Sequence, residues 1–108
     1  MSAAHQEEER TLVVAARIEL APGIVEFRLA ALGGDAELPL WQPGAHVDVI
    51  LDDDIIRQFS LCGDPSDRSA FTIAVLREDG GRGGSVRVHD ELLVGEEVRI
   101  RGPRNHFA

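Results

Sequence analysis

The sequence is poor in cysteine. Cys62 is the only one among 108 residues. A single thiol closes no internal disulfide, which fits a reducing, cytoplasmic setting. Without a cysteine cluster, an iron–sulfur centre or a structural zinc site is excluded from this stretch. Long hydrophobic runs are missing too: none approaches the ~18 residues that cross a bilayer. The opening "MSAAHQEEER" is polar and acidic, without the positive start and apolar stretch of a secretory leader. Basic residues are few, 11 against 19 acidic, for a net charge of −8. That balance argues against a nucleic-acid coat or an acidic-membrane patch, both of which need excess positive charge. With aromatics at 5%, it also argues against an oligonucleotide-binding barrel.

What remains is an ordinary globular composition, 44% hydrophobic and 28% charged. The length suits one domain with one core. Residues 1–10 read as a disordered tail. From there the chain alternates. In "TLVVAARIEL" the residues Leu12, Val14, Ala16, Ile18 and Leu20 share one face, and in "IVEFRLA" the residues Val25, Phe27 and Leu29 do. Two such runs around "APG" predict a β-hairpin. Residues 31–45 read as a long loop. Further strands are expected at "HVDVIL" (46–51), "IIRQFSLC" (55–62), "AFTIAVL" (70–76) and "EEVRIRG" (96–102). Segment 85–93 fits a short helix capped by Ser85, although Val86 and Val88 also alternate as a strand would. The pattern is all-β with one short helix, and closing the sheet into a small barrel would remove its edges.

Two stretches break the pattern. On "IIRQFSLC" an arginine, Arg57, shares a face with Ile55, Phe59 and Leu61. Taken alone, it reads as an edge-strand arginine facing water. Inconsistencies of this kind also arise where a site is built. The second stretch is "EDGGRGGS", which by itself reads as a glycine-rich hairpin turn. Arg82 between the glycines and Ser85 at a helix start add the makings of an anion nest. Arg77, Arg82 and Arg87 form a local basic cluster suited to one small anion. Together, an arginine and an aromatic on one strand, an apolar strand and an anion loop suit a flat ring with a phosphate tail. Flavin mononucleotide is such a ligand.

"RQFSLCGDP", "IAVLRED", "GRGGS" and "GPRNHF", in this order, resemble the flavin domain of ferredoxin reductase-like flavoproteins. The branch resembled is that of phthalate dioxygenase reductase and the vanillate demethylase reductases. The resemblance runs from about Leu12 to Phe107. It implies a six-stranded antiparallel Greek-key barrel with one short helix over 11–108, binding FMN rather than FAD. On it, Arg57 binds the phosphate, Phe59 packs on the flavin or its ribityl chain, and Ser60, beside Gln58, lies by the N5 edge. Ala74, Val75 and Leu76 offer backbone groups to the pyrimidine edge. Arg82, Gly83, Gly84 and Ser85 hold the phosphate. Members of the branch continue into an NAD-binding domain and a [2Fe–2S] domain and serve a Rieske-type oxygenase. Those domains are absent from this chain, which reads as an excised domain.

Two departures stand out. Phe59 replaces the family's usual tyrosine, removing a hydroxyl that would bond the ribityl chain. Leu76 stands where a relative has lysine. Phe59 is the feature that favours a second reading: a non-catalytic β-barrel docking module with a degenerate flavin site. His46, His89 and His106 are expected to be structural, as no metal-partner spacing is present. Cys62 is expected to be a small buried core residue, Trp41 to anchor the long loop, and Asp52–Asp54 to form a solvated turn.

Overall fold

A computed structural model describes residues 9–32, 37–52, 55–77 and 84–104, with 84 and 85 described by backbone alone. The elements run β1 (Glu9–Ala21), β2 (Ile24–Ala31), β3 (His46–Asp52), β4 (Ile55–Cys62), β5 (Ala70–Leu76), α1 (Gly84–Glu91) and β6 (Glu97–Arg104). Every strand pairing is antiparallel, and the strands close into a barrel in the order β1-β2-β5-β4-β3-β6. β3, β4 and β5 are successive neighbours, while β6 returns by way of α1 to lie beside β3, which is a Greek key. The all-β barrel with one short helix is therefore the fold observed.

Alternation along the strands builds the core. Val25, Phe27 and Leu29 of β2, Val47 and Val49 of β3, and Phe71, Ile73 and Val75 of β5 all turn inward and are buried. Removing each such side chain from water contributes roughly 1.5–3 kcal/mol. Leu38 and Trp41, from the stretch before β3, are buried in the same core. Leu38 is tied to Arg68 by two bonds: its N–H donates to the Arg68 carbonyl (2.9 Å), and its own carbonyl accepts from Arg68 Nε (2.8 Å). Val88 of α1 and Leu92 just after it are buried in the same core.

β1 departs from the expected single face. It begins at Glu9 rather than Thr11, because Glu9 and Arg10 continue the ladder with β6 opposite Arg101 and Ile100. Leu12 and Val14 are buried as expected, but Ile18 is 51% and Leu20 54% exposed. The cause is a register shift between Val14 and Ala16. An extra residue in one strand reverses which side chains point inward beyond it. Arg17 then falls opposite the fully buried Phe27, its guanidinium 5.2 Å from the ring centroid, and donates from Nη1 to the Leu92 carbonyl at 2.9 Å.

α1 starts at Gly84, so Ser85 sits inside its first turn rather than ahead of it, and the capping position falls at 83, outside the described residues. At the far end of β6, Gly102 has φ +117. A Cβ there would meet the backbone of Arg104 at 3.2 Å and of His46 at 3.4 Å, so the crossing of β6 over β3 requires glycine.

Candidate functional site: a slot between two parted strands

β4 is laddered to β3 along nearly its whole length, from Ile55 opposite Asp52 to Ser60 opposite His46. Its other edge pairs with β5 at only two positions, Leu61 with Ile73 and Cys62 with Thr72. Continuing that register would set Ser60 opposite Ala74, Phe59 opposite Val75 and Gln58 opposite Leu76. None of these pairs forms. β5 instead stays with β2, where Ala74, Val75 and Leu76 lie opposite Glu26, Val25 and Ile24. The two strands part like an opened seam. The residues expected to hold a ring, Gln58, Phe59 and Ser60 on one side and Ala74, Val75 and Leu76 on the other, are the two lips of that opening.

Pairing also assigns faces, because residues directly opposite one another share a side of the sheet. Arg57 lies opposite Val49 and Phe59 opposite Val47, and both valines are fully buried. Arg57 and Phe59 therefore belong to the inner face, yet each is only half-buried. No β5 residue pairs across from them. Phe59 rests against the core from this position. Gln58 and Ser60 take the outer face and are exposed, as are Ala74 and Leu76.

Charge separates Arg57 from most of the other arginines. All 11 basic residues are arginines. Arg28, Arg68, Arg77, Arg87, Arg99, Arg101 and Arg104 each lie within ion-pair distance of a carboxylate. Arg57 has no carboxylate partner among the described residues, and its Nη1 donates to the neighbouring Ile56 carbonyl at 3.0 Å. In a chain of net charge −8, an arginine with no acid partner among the described residues is a candidate to meet an outside anion. Of the expected cluster of Arg77, Arg82 and Arg87, the two described members are each paired with acids of the chain. Arg77 is bound to Asp90 (2.9 Å), and Arg87 to both Asp52 (2.9 Å) and Glu91 (3.0 Å). These acids raise the Arg87 pKa, its bonds to Glu91 and then Asp52 being the largest causes. Arg82 and Gly83 lie outside the described residues, while Gly84 and Ser85 open α1.

α1 is held against the slot from several sides. Arg87 ties it to Asp52 at the end of β3, and Arg77 ties it to the chain leaving β5. His89, only 5% exposed, places Nε2 2.7 Å from the Val75 carbonyl. A carbonyl only accepts, so Nε2 carries the hydrogen. The imidazole also meets Phe27 edge-on, with centroids 6.2 Å apart and planes at 69°. His89 is thus structural, as expected. The arrangement that Arg17 and His89 share around Phe27 has no signature in the sequence, because both contacts depend on the β1 bulge and on the docking of α1.

Nearby, Arg104 donates two bonds to the buried Asp48 carboxylate (2.7 and 3.0 Å) and a third from Nε to His46 Nε2 (3.1 Å). That His46 nitrogen accepts, so its hydrogen is on Nδ1. Cys62 is half-buried rather than buried, and its Sγ lies 3.5 Å from the Thr72 carbonyl. Burial, and then the charge of Glu26, push its thiol pKa up, away from nucleophilic use. Trp41 is buried in the loop, as expected. Among the described residues, no group of His, Cys, Asp and Glu could hold a metal ion, and no helix is long and apolar enough to cross a membrane.

No family model matches the chain. Vanillate O-demethylase oxidoreductase from Pseudomonas putida is 41% identical over 95 residues, covering 88% of this chain and 30% of that protein. Phthalate dioxygenase reductase from Burkholderia cepacia is 36% identical over 96 residues, covering 89% of this chain and 30% of that protein. The solved structure of a phthalate dioxygenase reductase, described as modular for electron transfer from pyridine nucleotides to [2Fe–2S], superposes with a TM-score of 0.86. It is 35% identical and covers 93% of this chain and 31% of that one. The chain thus spans about a third of the length of these relatives.

Proposed function

This chain belongs to the family of phthalate dioxygenase reductase and vanillate O-demethylase oxidoreductase, and we propose that it binds one flavin, FMN, in the slot between β4 and β5. The single observation that carries this reading is the parting of those strands beside Arg57, an inner-face arginine with no carboxylate partner among the described residues. A flat heterocycle with hydrogen-bonding edges matches two strand edges that lack each other's ladder bonds. A phosphate matches the arginine.

In this reading Phe59 supplies an apolar wall, and Ser60 and Gln58 line the β4 lip. Ala74 and Leu76 line the β5 lip by backbone. Val75 contributes less, since its carbonyl already accepts from His89. Arg57, with Arg82, Gly83, Gly84 and Ser85 at the start of α1, takes the phosphate. Charge-assisted bonds of this kind contribute roughly 1.5–3 kcal/mol each. A monophosphate, rather than the longer dinucleotide of FAD, suits a seat built from one strand arginine and one glycine-rich loop.

Bound there, a flavin supplies the step between two-electron and one-electron transfer. The chain's own residues bind and orient it, and none is required as an acid, base or nucleophile. The larger protein we infer around this domain takes electrons from NAD(P)H and passes them, by way of an iron–sulfur centre, to a Rieske-type oxygenase.

Adding FMN to the purified chain tests the reading. Saturable binding at one flavin per chain, with a shifted flavin absorbance band, is expected. No binding of FMN or FAD at high micromolar concentration overturns it. Phe59, without the hydroxyl of a tyrosine, favours the second reading, a barrel that docks a partner and holds no flavin. That reading predicts a colourless protein that captures a partner chain.

A further inference from the structure

We propose that His89 is a positioning residue: through α1 it fixes the start of the helix relative to the free lip of β5, and so aligns the phosphate seat with the ring slot. The inference rests on the flavin reading above and adds the internal residue that couples the two halves of the site.

Three observations carry it. First, the His89–Val75 bond lands on the middle residue of the unpaired lip 74–76, at the point where β5 has left β4. Second, this bond is buried, with His89 5% and Val75 1% exposed, whereas the ion pairs of α1 with Arg77 and Asp52 lie at the half-exposed surface. Exposed pairs hold weakly, and a buried donor–acceptor pair that loses one member leaves the other unsatisfied. Third, α1 has only eight residues, too few to persist without its packing. From His89 back to Gly84 the helix spans roughly 7 Å at about 1.5 Å per residue. Val88 in the core holds the helix in place, and the adjacent His89–Val75 bond sets its rotation and offset against β5, and with them where the helix begins.

The lips of the slot do not depend on this bond. β3 holds Gln58–Ser60, and β2 holds 74–76. Loss of the His89 tether is therefore expected to displace the phosphate seat while the ring slot stands. FMN and riboflavin, which share the ring and differ in the phosphate, separate the two effects.

The test is titration of the full 108-residue chain with each ligand, followed by flavin fluorescence. Wild type is expected to prefer FMN over riboflavin by about tenfold or more, the scale of one charge-assisted contact. His89→Leu is expected to bring the two affinities within about threefold, with riboflavin binding nearly unchanged. His89→Gln, whose amide can still donate to Val75, should keep most of the preference. Should His89→Leu fail to fold, His89→Asn, too short to reach Val75, carries the same expectation. Equal loss of both ligands in a variant that still melts cooperatively, or an undiminished preference for FMN, overturns the role of His89. A wild-type chain that binds neither flavin instead overturns the flavin reading itself.

Discussion

Leu61 pairs with Ile73 at the edge of the opening between β4 and β5, and behind them only Cys62 pairs with Thr72. One step along, Ser60 and Ala74 would have been the next pair, and the barrel opens there instead. An opening in an otherwise closed sheet is costly to leave unfilled, because each backbone group on its lips needs a partner. In the proposed function, a flat polar ligand is what supplies those partners.

Arg57 should matter to ligand and hardly at all to fold. Its bond is to the adjacent Ile56 carbonyl, and it has no acid partner among the described residues. Arg57→Ala is expected to weaken FMN binding by about tenfold to a hundredfold, equivalent to roughly 1.5–3 kcal/mol. Its thermal midpoint should move by no more than a degree or two, on the order expected of a surface change. Parallel flavin titration and thermal melts check both halves.

The β1 bulge makes a prediction that the alternating sequence alone would reverse. Leu12→Ala should cost about 2–4 kcal/mol, as a core truncation does. Ile18→Thr and Leu20→Thr, beyond the bulge at 51% and 54% exposure, should stay within about 0.5 kcal/mol of wild type. Urea unfolding of the three variants measures the difference.

These cases show how far the sequence could be read. Strict alternation in β2 and β5 gave Phe27, Leu29, Phe71 and Ile73 their faces, and the structure buries all four. The pattern break at Arg57 is real in the fold: the ladder with β3 sets it on the inner face, beside the stretch where β4 and β5 do not pair. The bulge was invisible, since neither Val14-Ala15-Ala16 nor its neighbours carry a glycine or proline that would announce a register shift. The long-range ion pairs of Arg77 and Arg87 were also hidden, unlike Arg87–Glu91, which follows from i,i+4 spacing on the helix. Arg77–Asp90 joins the chain leaving β5 to α1, Arg87–Asp52 joins α1 to the end of β3 across 35 residues of sequence, and only the docked helix brings these groups into range. Cys62 is only half-buried because the strand alternates: Leu61 takes the inner face opposite Ile73, and Cys62, opposite Thr72, falls on the outer face with Ser60.

The Arg87–Asp52 pair should tie α1 to the β3 end only loosely. Both side chains are substantially exposed, at 30% and 49%. A double-mutant cycle of Arg87→Ala and Asp52→Ala is expected to give a coupling of about 0.2–1 kcal/mol, shrinking in high salt. A coupling that is large and insensitive to salt would contradict this placement.

Asp67 predicts an acid limb. Bonds from the Ser69 hydroxyl and backbone N–H, and then from Arg28, lower its carboxyl from 3.8 to about 2. A depressed carboxylate stabilises the fold above its unfolded value, and that contribution is lost as pH falls from about 4 toward 2. Asp67→Asn should flatten the fall in thermal midpoint across this window and leave its shape near neutral pH unchanged. Melts at closely spaced pH values measure it.

Amide mapping tests the central claim most directly. On adding FMN to the isotopically labelled chain, the largest shifts in the amide spectrum should fall on residues 57–60, on 74–76 and on the start of α1. Little change is expected on the far wall, at β1 and β6. Shifts concentrated elsewhere, or no shifts at saturating FMN, would contradict the assignment of the parted β4 and β5 strands as the flavin site.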